Sequence, residues 1–110
     1  MTYEAGAVIC VPFPFTDRAM QKRRPALVLS VQSFNESHAH VVLAMITSAK
    51  NLPWASDVNI TDLALAGLPS ASVVRFKIFT IDERLVLGTL GKLANADKAA
   101  IKKRVANILL

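Results

Sequence analysis

The apolar residues of this chain fall in short runs that are rich in β-branched side chains and are separated by polar segments. Runs of this length and composition are typical of β-strands rather than of long core helices. We predict strands over 7–13, 26–32, 40–47, 58–60, 72–81 and 84–90. Pro12 and Pro14 restrict the first run to a sheet edge or a strand end, because proline lacks the amide hydrogen that a central ladder needs. The chain is therefore expected to form an antiparallel sheet.

Three details of these runs refine the prediction. The polar segment 33–39 separates strands two and three, which fits a simple antiparallel meander. The run 72–81 alternates, so that Arg75 and Lys77 share one face and the more apolar side chains take the other. Gly88, inside the last run, indicates a bulge or a close approach of another backbone segment.

Two segments have helical features instead. In 61–68, Thr61 is a candidate N-cap and Gly67 a candidate stop. In 94–110, Asn95 is the candidate cap, and apolar residues recur with helical spacing on one side. These apolar residues are Ile101, Val105 and Ile108. The simplest architecture is a small SH3-like barrel, mainly β, with a short helix and a C-terminal helix, since closing a sheet removes its edges.

The size and composition indicate one domain and a partner. A chain of 110 residues has room for one core, so residues 1–110 are predicted to form a single domain. Hydrophobic residues make up 53% of the chain and charged residues 19%, which excludes compositional disorder. So apolar a chain of this size is expected to leave exposed apolar patches as a monomer, and we therefore expect a homodimer.

The charge is positive and clustered. Thirteen Lys and Arg against eight Asp and Glu give a net charge of +5 and a pI of about 9.8. Two segments concentrate it, comprising Arg18, Lys22, Arg23 and Arg24 in one, and Lys98, Lys102, Lys103 and Arg104 in the other. The first cluster lies in a polar stretch between Pro14 and Pro25 that we interpret as a mobile loop. Clusters of this kind favour a polyanion such as nucleic acid, although solvated surfaces produce the same pattern.

Several classes of function find no support in the sequence. His38 and His40 have no Cys, Asp or Glu set that would complete a tetrahedral metal site, so neither a metal nor another cofactor is expected. Phosphate-loop, dinucleotide-binding and hydrolase-elbow motifs are missing from the sequence. Cys10 is the only cysteine, which is typical of a reducing compartment. Without an export signal or a membrane-length apolar segment, the chain is expected in the cytoplasm.

The strongest candidates for chemistry lie at strand ends. Arg24 directly precedes Pro25 where the basic loop enters strand two, a rigid position from which a guanidinium can present paired donors to phosphate. Thr47 and Ser48 end strand three, where a hydroxyl beside an arginine can hold a phosphodiester in place. Taken alone, these residues fit equally well a solvated loop arginine and a hydrogen-bonded turn.

The same residues carry a resemblance to a known family. The segments G-A-V-I-C-V-P-F-P-F-T-D at 6–17, K-R-R-P-A-L-V-L-S at 22–30 and M-I-T-S at 45–48 resemble the PemK/MazF family of toxin endoribonucleases. The block L-P-S-A-S-V-V-R-F-K-I-F-T-I-D at 68–82 is similar to the family block that ends in T-I-D. The likeness runs from about Gly6 to the C-terminus, and the order of Arg-Pro followed by I-T-S is its most specific part.

The resemblance implies a homodimeric SH3-like barrel that cleaves single-stranded RNA without metal. The neighbouring 2'-hydroxyl would attack the phosphate, giving a 2',3'-cyclic phosphate and a 5'-hydroxyl. Arg24 matches the catalytic arginine of the family and Thr47 its catalytic threonine, with Ser48 adjacent. The residues implied to bind RNA are Thr16, Asp17, Arg18, Lys22, Arg23, Arg75 and Lys77. A separate acidic antitoxin is implied as a partner that covers the site near Arg24.

The chain also departs from the family pattern, and other functions stay open. Where many members carry Q-I-R-T-I-D, this chain has K-I-F-T-I-D, so Lys77 and Phe79 replace a polar pair that bears on RNA sequence choice. One alternative is a non-catalytic toxin on the same barrel that inhibits DNA gyrase or another protein, like CcdB. The other is a degenerate module that binds RNA through its basic clusters without cutting it.

Overall fold

The computed structural model describes residues 3–13 and 22–110. Its strands are β1 (Ala7–Phe13), β2 (Lys22–Val28), β3 (His40–Ser48), β4 (Val58–Asn59), β5 (Ser72–Asp82) and β6 (Gly88–Lys92). Its helices are α1 (Gln32–His38), α2 (Leu63–Ala66) and α3 (Asn95–Ile108), with a 3-10 turn at Glu83–Leu85. The six strands form one antiparallel sheet in the order β4-β5-β3-β2-β1-β6. The predicted mainly β fold with a short helix and a C-terminal helix is confirmed, and the sheet curls into a half-barrel.

Strand alternation gives the sheet two apolar faces. One face packs against Ala66 of α2 and Ile101 of α3 and includes Val8, Leu27, Ala44, Ile46 and Val74. The other face includes Ile9, Val11, Ala26, Val28, Leu43, Met45 and Ile81. Because neighbouring residues of a strand point to opposite faces, each central strand contributes to both clusters. This explains why the runs read as almost continuously apolar.

A bulge in β5 shifts its register against β3. Ala44 of β3 pairs with Ile78, but the next residue, Met45, pairs with Arg75. At this point β5 therefore contains two residues more than β3. Because two is an even number, the side chains of β5 still alternate between the same two faces of the sheet on both sides of the bulge. The predicted faces of β5 are accordingly retained, with Arg75 on the same face as Met45. Bulges of this kind increase local twist and re-aim side chains.

Helices pack against the two edge strands. The short helix α2 lies on β6 so closely that a Cβ at Gly91 would stand 2.2 Å from the carbonyl oxygen of Leu65. Near β4, the buried carboxylate of Asp97 on α3 accepts hydrogen bonds from the Thr61 amide at 2.9 Å and the Thr61 hydroxyl at 2.8 Å. Covering of this kind blunts sheet edges that are not closed by pairing.

The antiparallel pairing of β2 with β3 is as predicted, but the polar segment between them forms a helix that was not predicted. This helix is α1, whose one buried residue is Asn35 at 0% exposure. The Asn35 amide donates to the backbone oxygens of Tyr3 at 2.8 Å and Ser30 at 3.1 Å, while the Ser30 hydroxyl donates to its side-chain oxygen. The helix is therefore anchored by polar contacts between distant segments and not by an apolar face. For this reason the sequence shows no apolar residues at helical spacing in this segment.

Strand two was placed wrongly at both ends. It was predicted over 26–32, whereas β2 spans Lys22–Val28, because Lys22, Arg23 and Arg24 pair with Phe13, Pro12 and Val11 of β1. Their charged side chains are exposed, so pairing extends the strand beyond its apolar part. The end of the predicted mobile loop is therefore part of the sheet, and Thr16, Asp17 and Arg18 lie outside the described residues.

The last strand and the helix starts also differ from the predictions. The run 84–90 is divided between the 3-10 turn and β6, and the register shift lies opposite Val8 and Ile9, between Thr89 and Gly91 rather than at Gly88. The cap of α2 is Asp62, which accepts from the Leu65 amide at 3.0 Å, because Thr61 is bonded to Asp97 instead.

At α3 the capping residue is Ala94, with Asn95 as the first helical residue. The predicted stop of α2 at Gly67 is confirmed, with a left-handed φ of 72°. No helix in the described part of the chain is long and apolar enough to cross a membrane.

Candidate functional site

The ends of β1, β2 and β3 and the bulged centre of β5 surround a cavity of about 180 Å³. Its lining residues are Phe13, Arg24, Met45, Ile46, Thr47, Asn51, Arg75 and Lys77. Arg24 and Thr47, which lie far apart in the sequence, therefore face the same small space. Three of these lining side chains are cationic, and none of the eight lining residues carries a carboxylate.

The sheet register explains why Arg24 and Thr47 meet. Ala26 of β2 pairs with Met45 of β3, and both side chains lie on the same face of the sheet. Arg24 stands two residues before Ala26, and Thr47 two residues after Met45. Because antiparallel strands run in opposite directions, these two steps lead to the same end of the strand pair and to the same face.

The hydroxyl of Thr47 is held by a side chain that the sequence analysis did not select. Asn51 Nδ2 donates to Thr47 Oγ1 at 2.6 Å. Asn51 itself is held in a turn, since its backbone amide donates to the carbonyl of Ser48 at 3.1 Å. The Lys50 amide donates to the Ser48 hydroxyl at 3.2 Å and supports the same turn.

Arg75 forms the inner wall of the cavity and is tied to Asp57. Its Nε donates to Asp57 Oδ1 at 3.1 Å, and its Nη2 to Asp57 Oδ2 at 2.9 Å. Nη2 also donates to the backbone oxygen of Leu52 at 2.7 Å. Only 11% of the Arg75 side chain and 9% of the Asp57 side chain are exposed. The charge of Arg75 is thus largely compensated within the fold.

The indole ring of Trp54 lies close to both cations of β5, Arg75 and Lys77. The Cζ atom of Arg75 lies 5.1 Å and the Nζ atom of Lys77 lies 5.6 Å from the centroid of the indole ring. The backbone amide of Trp54 donates to Asp57 Oδ2 at 2.9 Å, which holds the backbone of Trp54 next to the buried ion pair. Cations within about 6 Å of an indole centroid are attracted by its negative face. Lys77 is exposed and, in the described part of the chain, forms no ion pair.

The electrostatics of the pair follow from these contacts. The hydrogen bonds from Arg75 lower the pKa of Asp57 below its usual value, against the opposing effect of burial. The pKa of Arg75 is raised by the same carboxylate. Asp57 is consequently ionised at neutral pH and available to neutralise Arg75. Arg24 and Lys77 are then the cavity cations that keep an uncompensated charge within the described residues.

The remaining predicted site residues lie around the cavity or away from it. Ser48 is exposed, and alternation along β3 turns its side chain to the opposite face from Thr47. Arg23 likewise points away from the face of Arg24, whereas Lys22 shares that face and is exposed. The structure therefore brings together Arg24, Thr47, Arg75 and Lys77.

Three residues of the site were missed at the sequence level: Asn51, Trp54 and Asp57. All of them belong to the polar segment between the predicted strands 40–47 and 58–60, to which no structural element was assigned from the sequence. One usable signal was present, because Asp57 is the single acid between Glu36 and Asp62 and lies opposite a basic face. In the described part of the chain, no three His, Cys, Asp or Glu residues cluster as metal ligands.

Comparison with known proteins agrees with the fold. MazE–MazF from Deinococcus radiodurans is similar, with a TM-score of 0.75 and 20% identity over 98% of this chain and 95% of that chain. The toxin MazF-mt6 of Mycobacterium tuberculosis has a TM-score of 0.73 and 22% identity over 92% and 93% of the two chains.

An endoribonuclease in complex with its cognate antitoxin from a mycobacterial species has a TM-score of 0.74 and 18% identity, covering 96% of this chain and 91% of that one. Comparison with curated proteins gives no significant match. The family model of the PemK-like, MazF-like toxins of type II toxin–antitoxin systems matches residues 4–109. The match covers nearly the whole chain, which therefore belongs to the PemK/MazF toxin family.

Proposed function

We propose that this chain is a cytoplasmic endoribonuclease toxin, formed by one domain, that cleaves single-stranded RNA without metal. The observation that carries the proposal is the shared cavity of Arg24 and Thr47. Its volume of about 180 Å³ equals that of roughly six water molecules in the liquid, which leaves room for a phosphodiester group. The basic lining favours an anion in that space.

The lining residues fit attack by the 2'-hydroxyl of the RNA itself. In that reaction the 2'-oxygen bonds to phosphorus and loses its proton, while the bond from phosphorus to the 5'-oxygen breaks and that oxygen gains a proton. Negative charge grows on the non-bridging oxygens during this step, and donors already aimed at them lower the barrier. We assign charge stabilisation to Arg24 and the orientation of the phosphate to Thr47. Ser48 is exposed on the opposite face and plays a lesser part.

The flanking charges would guide the RNA strand. Lys77 lies at the exposed edge of the cavity beside Trp54, and Lys22 lies on the face of Arg24. Arg23, Arg75, Thr16, Asp17 and Arg18 complete the proposed RNA-binding set. Of these, Arg75 contributes chiefly by shaping the wall, because Asp57 already neutralises it. Arg23 points away from the cavity and would contact only the strand outside it.

Protein partners belong to the same proposal. Between β2 and α3 lies an apolar groove of about 580 Å³, bordered by Lys98 and Lys102. An acidic antitoxin has both apolar and charged contacts available on such a surface. The comparison structures include complexes described as MazE–MazF and as an endoribonuclease with its cognate antitoxin. We propose a homodimer that a cognate antitoxin neutralises by covering the cavity of Arg24, which lies on the opposite face of the sheet from this groove.

Cleavage of a labelled single-stranded RNA in EDTA tests the activity. The native chain should give discrete fragments whose new 5'-hydroxyls accept phosphate from a polynucleotide kinase. Arg24→Ala should lower kcat/KM by about 100-fold or more, as removal of a charge-stabilising donor does in other enzymes. Arg84→Ala is the matched control, because Arg84 is exposed and pairs with Asp82 away from the cavity.

Two outcomes would contradict the proposal. Intact RNA after incubation with the native chain excludes the nuclease, and steeply salt-dependent binding of that RNA would favour a non-cleaving RNA-binding module. Equal losses in Arg24→Ala and Arg84→Ala would show that the cavity is not the site. If RNA is neither cut nor bound, inhibition in a gyrase supercoiling assay would favour the CcdB-like alternative.

A further inference from the structure

We infer that Asn51 is a positioning residue that aims the hydroxyl hydrogen of Thr47 at the scissile phosphate. The inference rests on the proposed function, because it assigns Thr47 a role in RNA cleavage. Its starting point is the bond of 2.6 Å between Asn51 Nδ2 and Thr47 Oγ1, at the cavity that both residues line. No feature of the sequence had indicated this contact.

Hydrogen bonds to the backbone hold the segment around Asn51 in place in the ligand-free chain. β3 ends at Ser48, and the chain turns so that the Asn51 amide reaches back to the Ser48 carbonyl at 3.1 Å. The side-chain amide of Asn51 is thereby brought over Thr47, four residues earlier. Farther along, the Leu52 carbonyl accepts from Arg75 at 2.7 Å, so the residue after Asn51 is anchored to β5 as well. A side chain on a segment held at both ends loses little freedom when it positions another group.

The donor and acceptor inventory determines where the Thr47 hydrogen points. A threonine hydroxyl has one hydrogen to donate and two lone pairs to accept with. Asn51 fills one lone pair, and the cationic neighbours Arg24 and Lys77 are donors that cannot accept a hydrogen. The hydroxyl hydrogen therefore has an incoming acceptor as its natural partner, and a non-bridging phosphate oxygen is such an acceptor.

A pair of substitutions separates this role from simple packing. Asn51→Ala removes the amide donor and should lower kcat by roughly fivefold to tenfold with little change in KM, which is the effect of one neutral hydrogen bond. Asn51→Asp should lose more, because a carboxylate accepts the Thr47 hydrogen and places a negative charge against the phosphate. Asn107→Ala, an exposed asparagine on α3, is the matched control and should behave as the native chain.

A double-mutant cycle gives the decisive measurement. If Asn51 acts through Thr47, Asn51→Ala should cause no further loss of kcat once Thr47→Ala is present. Full loss in the double variant, equal to the product of the single losses, would overturn the inference. Equal activity of native chain, Asn51→Ala and Asn51→Asp would overturn it too. Thermal unfolding of each variant checks that the fold is retained.

Binding measurements keep the inference testable if the proposed nuclease activity fails. The probe is a single-stranded oligonucleotide with 2'-deoxyribose throughout, which the proposed reaction cannot cleave. Asn51→Asp should weaken its binding more than Asn51→Ala, and Thr47→Val should move the side-chain amide NMR signals of Asn51. Unmoved signals exclude the contact, and equal affinities exclude the positioning of a phosphate. Absence of cleavage by the native chain contradicts the proposed function alone.

Discussion

Asp57 holds Arg75 through two parallel hydrogen bonds, Nε to Oδ1 at 3.1 Å and Nη2 to Oδ2 at 2.9 Å, beneath the cavity that Arg24 and Thr47 share. The pair joins the segment after β3 to the bulged centre of β5. Planar two-point contacts of this kind fix the orientation of both groups. The segment that carries Asn51 and Trp54 is therefore held against the sheet by a charged contact rather than by apolar packing.

Removal of the Asp57 carboxylate should therefore destabilise the fold. Asp57→Ala leaves Arg75 with 11% exposure and without its counter-charge, and breaking such a pair is strongly unfavourable. We expect the Tm to fall by about 10 °C or more. Asp82→Ala is the matched control, because its partner Arg84 is 88% exposed, and it should change the Tm little. Calorimetry of both variants measures this, and equal Tm values would contradict the structural importance of the buried pair.

The acid stability of the chain should depend chiefly on the buried carboxylate of Asp57, because solvent screens the pair that Asp82 forms with the exposed Arg84. Hydrogen bonds from Arg75 lower the pKa of Asp57, and those from Arg84 lower the pKa of Asp82 to about 2. A carboxyl whose folded-state pKa is depressed stabilises the fold above its ordinary pKa near 3.8 and loses that contribution as the pH falls through the folded value. We expect a Tm that is constant from pH 7 to about pH 5 and declines below about pH 4.

The variant Asp57→Asn isolates one part of that decline. It cannot be protonated in this range, so its Tm should start lower at neutral pH and then fall less steeply than that of the native chain between about pH 4 and pH 2. Parallel Tm curves for the native chain and Asp57→Asn would show that the Asp57 carboxylate does not contribute to acid unfolding.

The contact between α2 and β6 should not tolerate a side chain at Gly91. A Cβ there would lie 2.2 Å from the Leu65 carbonyl oxygen and 2.7 Å from the Ala66 carbonyl carbon. Because backbone atoms cannot move aside cheaply, Gly91→Ala should lower the free energy of unfolding by about 2 kcal/mol or more. Gly88→Ala is the control, since a Cβ at Gly88 meets nothing within 4 Å. Urea unfolding measures both, and similar midpoints would contradict the close approach.

The features that could be predicted from the sequence are those that recur with strand or helix spacing. The apolar runs predicted the bounds of β1, β3, β4 and β5 approximately, and the predicted alternation of β5 was correct because a bulge of two residues preserves it. Arg24 and Thr47 were selected from their positions at strand ends and from the family resemblance. Their shared cavity follows from the register of β2 against β3.

The missed features depend on contacts between distant segments. The helix α1 is held by Asn35 bonding to Tyr3 and Ser30, and a single buried amide has no period to detect. The roles of Asn51 and Asp57 arise only once the segment after β3 folds back over β5. The start of β2 was missed because its side chains are charged and the apolar run begins only after them. Backbone hydrogen bonds between strands form regardless of side-chain polarity.

Removal of a basic residue at the cavity and removal of one on α3 should change the salt dependence of nucleic-acid binding differently. Lys77 lies at the cavity edge without an acidic partner among the described residues, whereas Lys103 is an exposed residue of α3. If Lys77 contacts one phosphate, Lys77→Ala should reduce the slope of log binding constant against log salt by about 0.7, the value expected per phosphate of a single strand. Lys103→Ala should leave the slope unchanged.

Fluorescence anisotropy with the all-deoxy oligonucleotide over a range of salt concentrations gives both slopes without cleavage. Arg75→Ala is not suitable for the same purpose, because it also breaks the pair with Asp57 and disturbs the segment that carries Asn51. An unchanged slope in Lys77→Ala would remove this residue from the RNA path. A reduced slope in Lys103→Ala would instead indicate that the basic cluster of α3 contacts the nucleic acid. The slope falls when a phosphate contact is lost because fewer counterions are then released on binding.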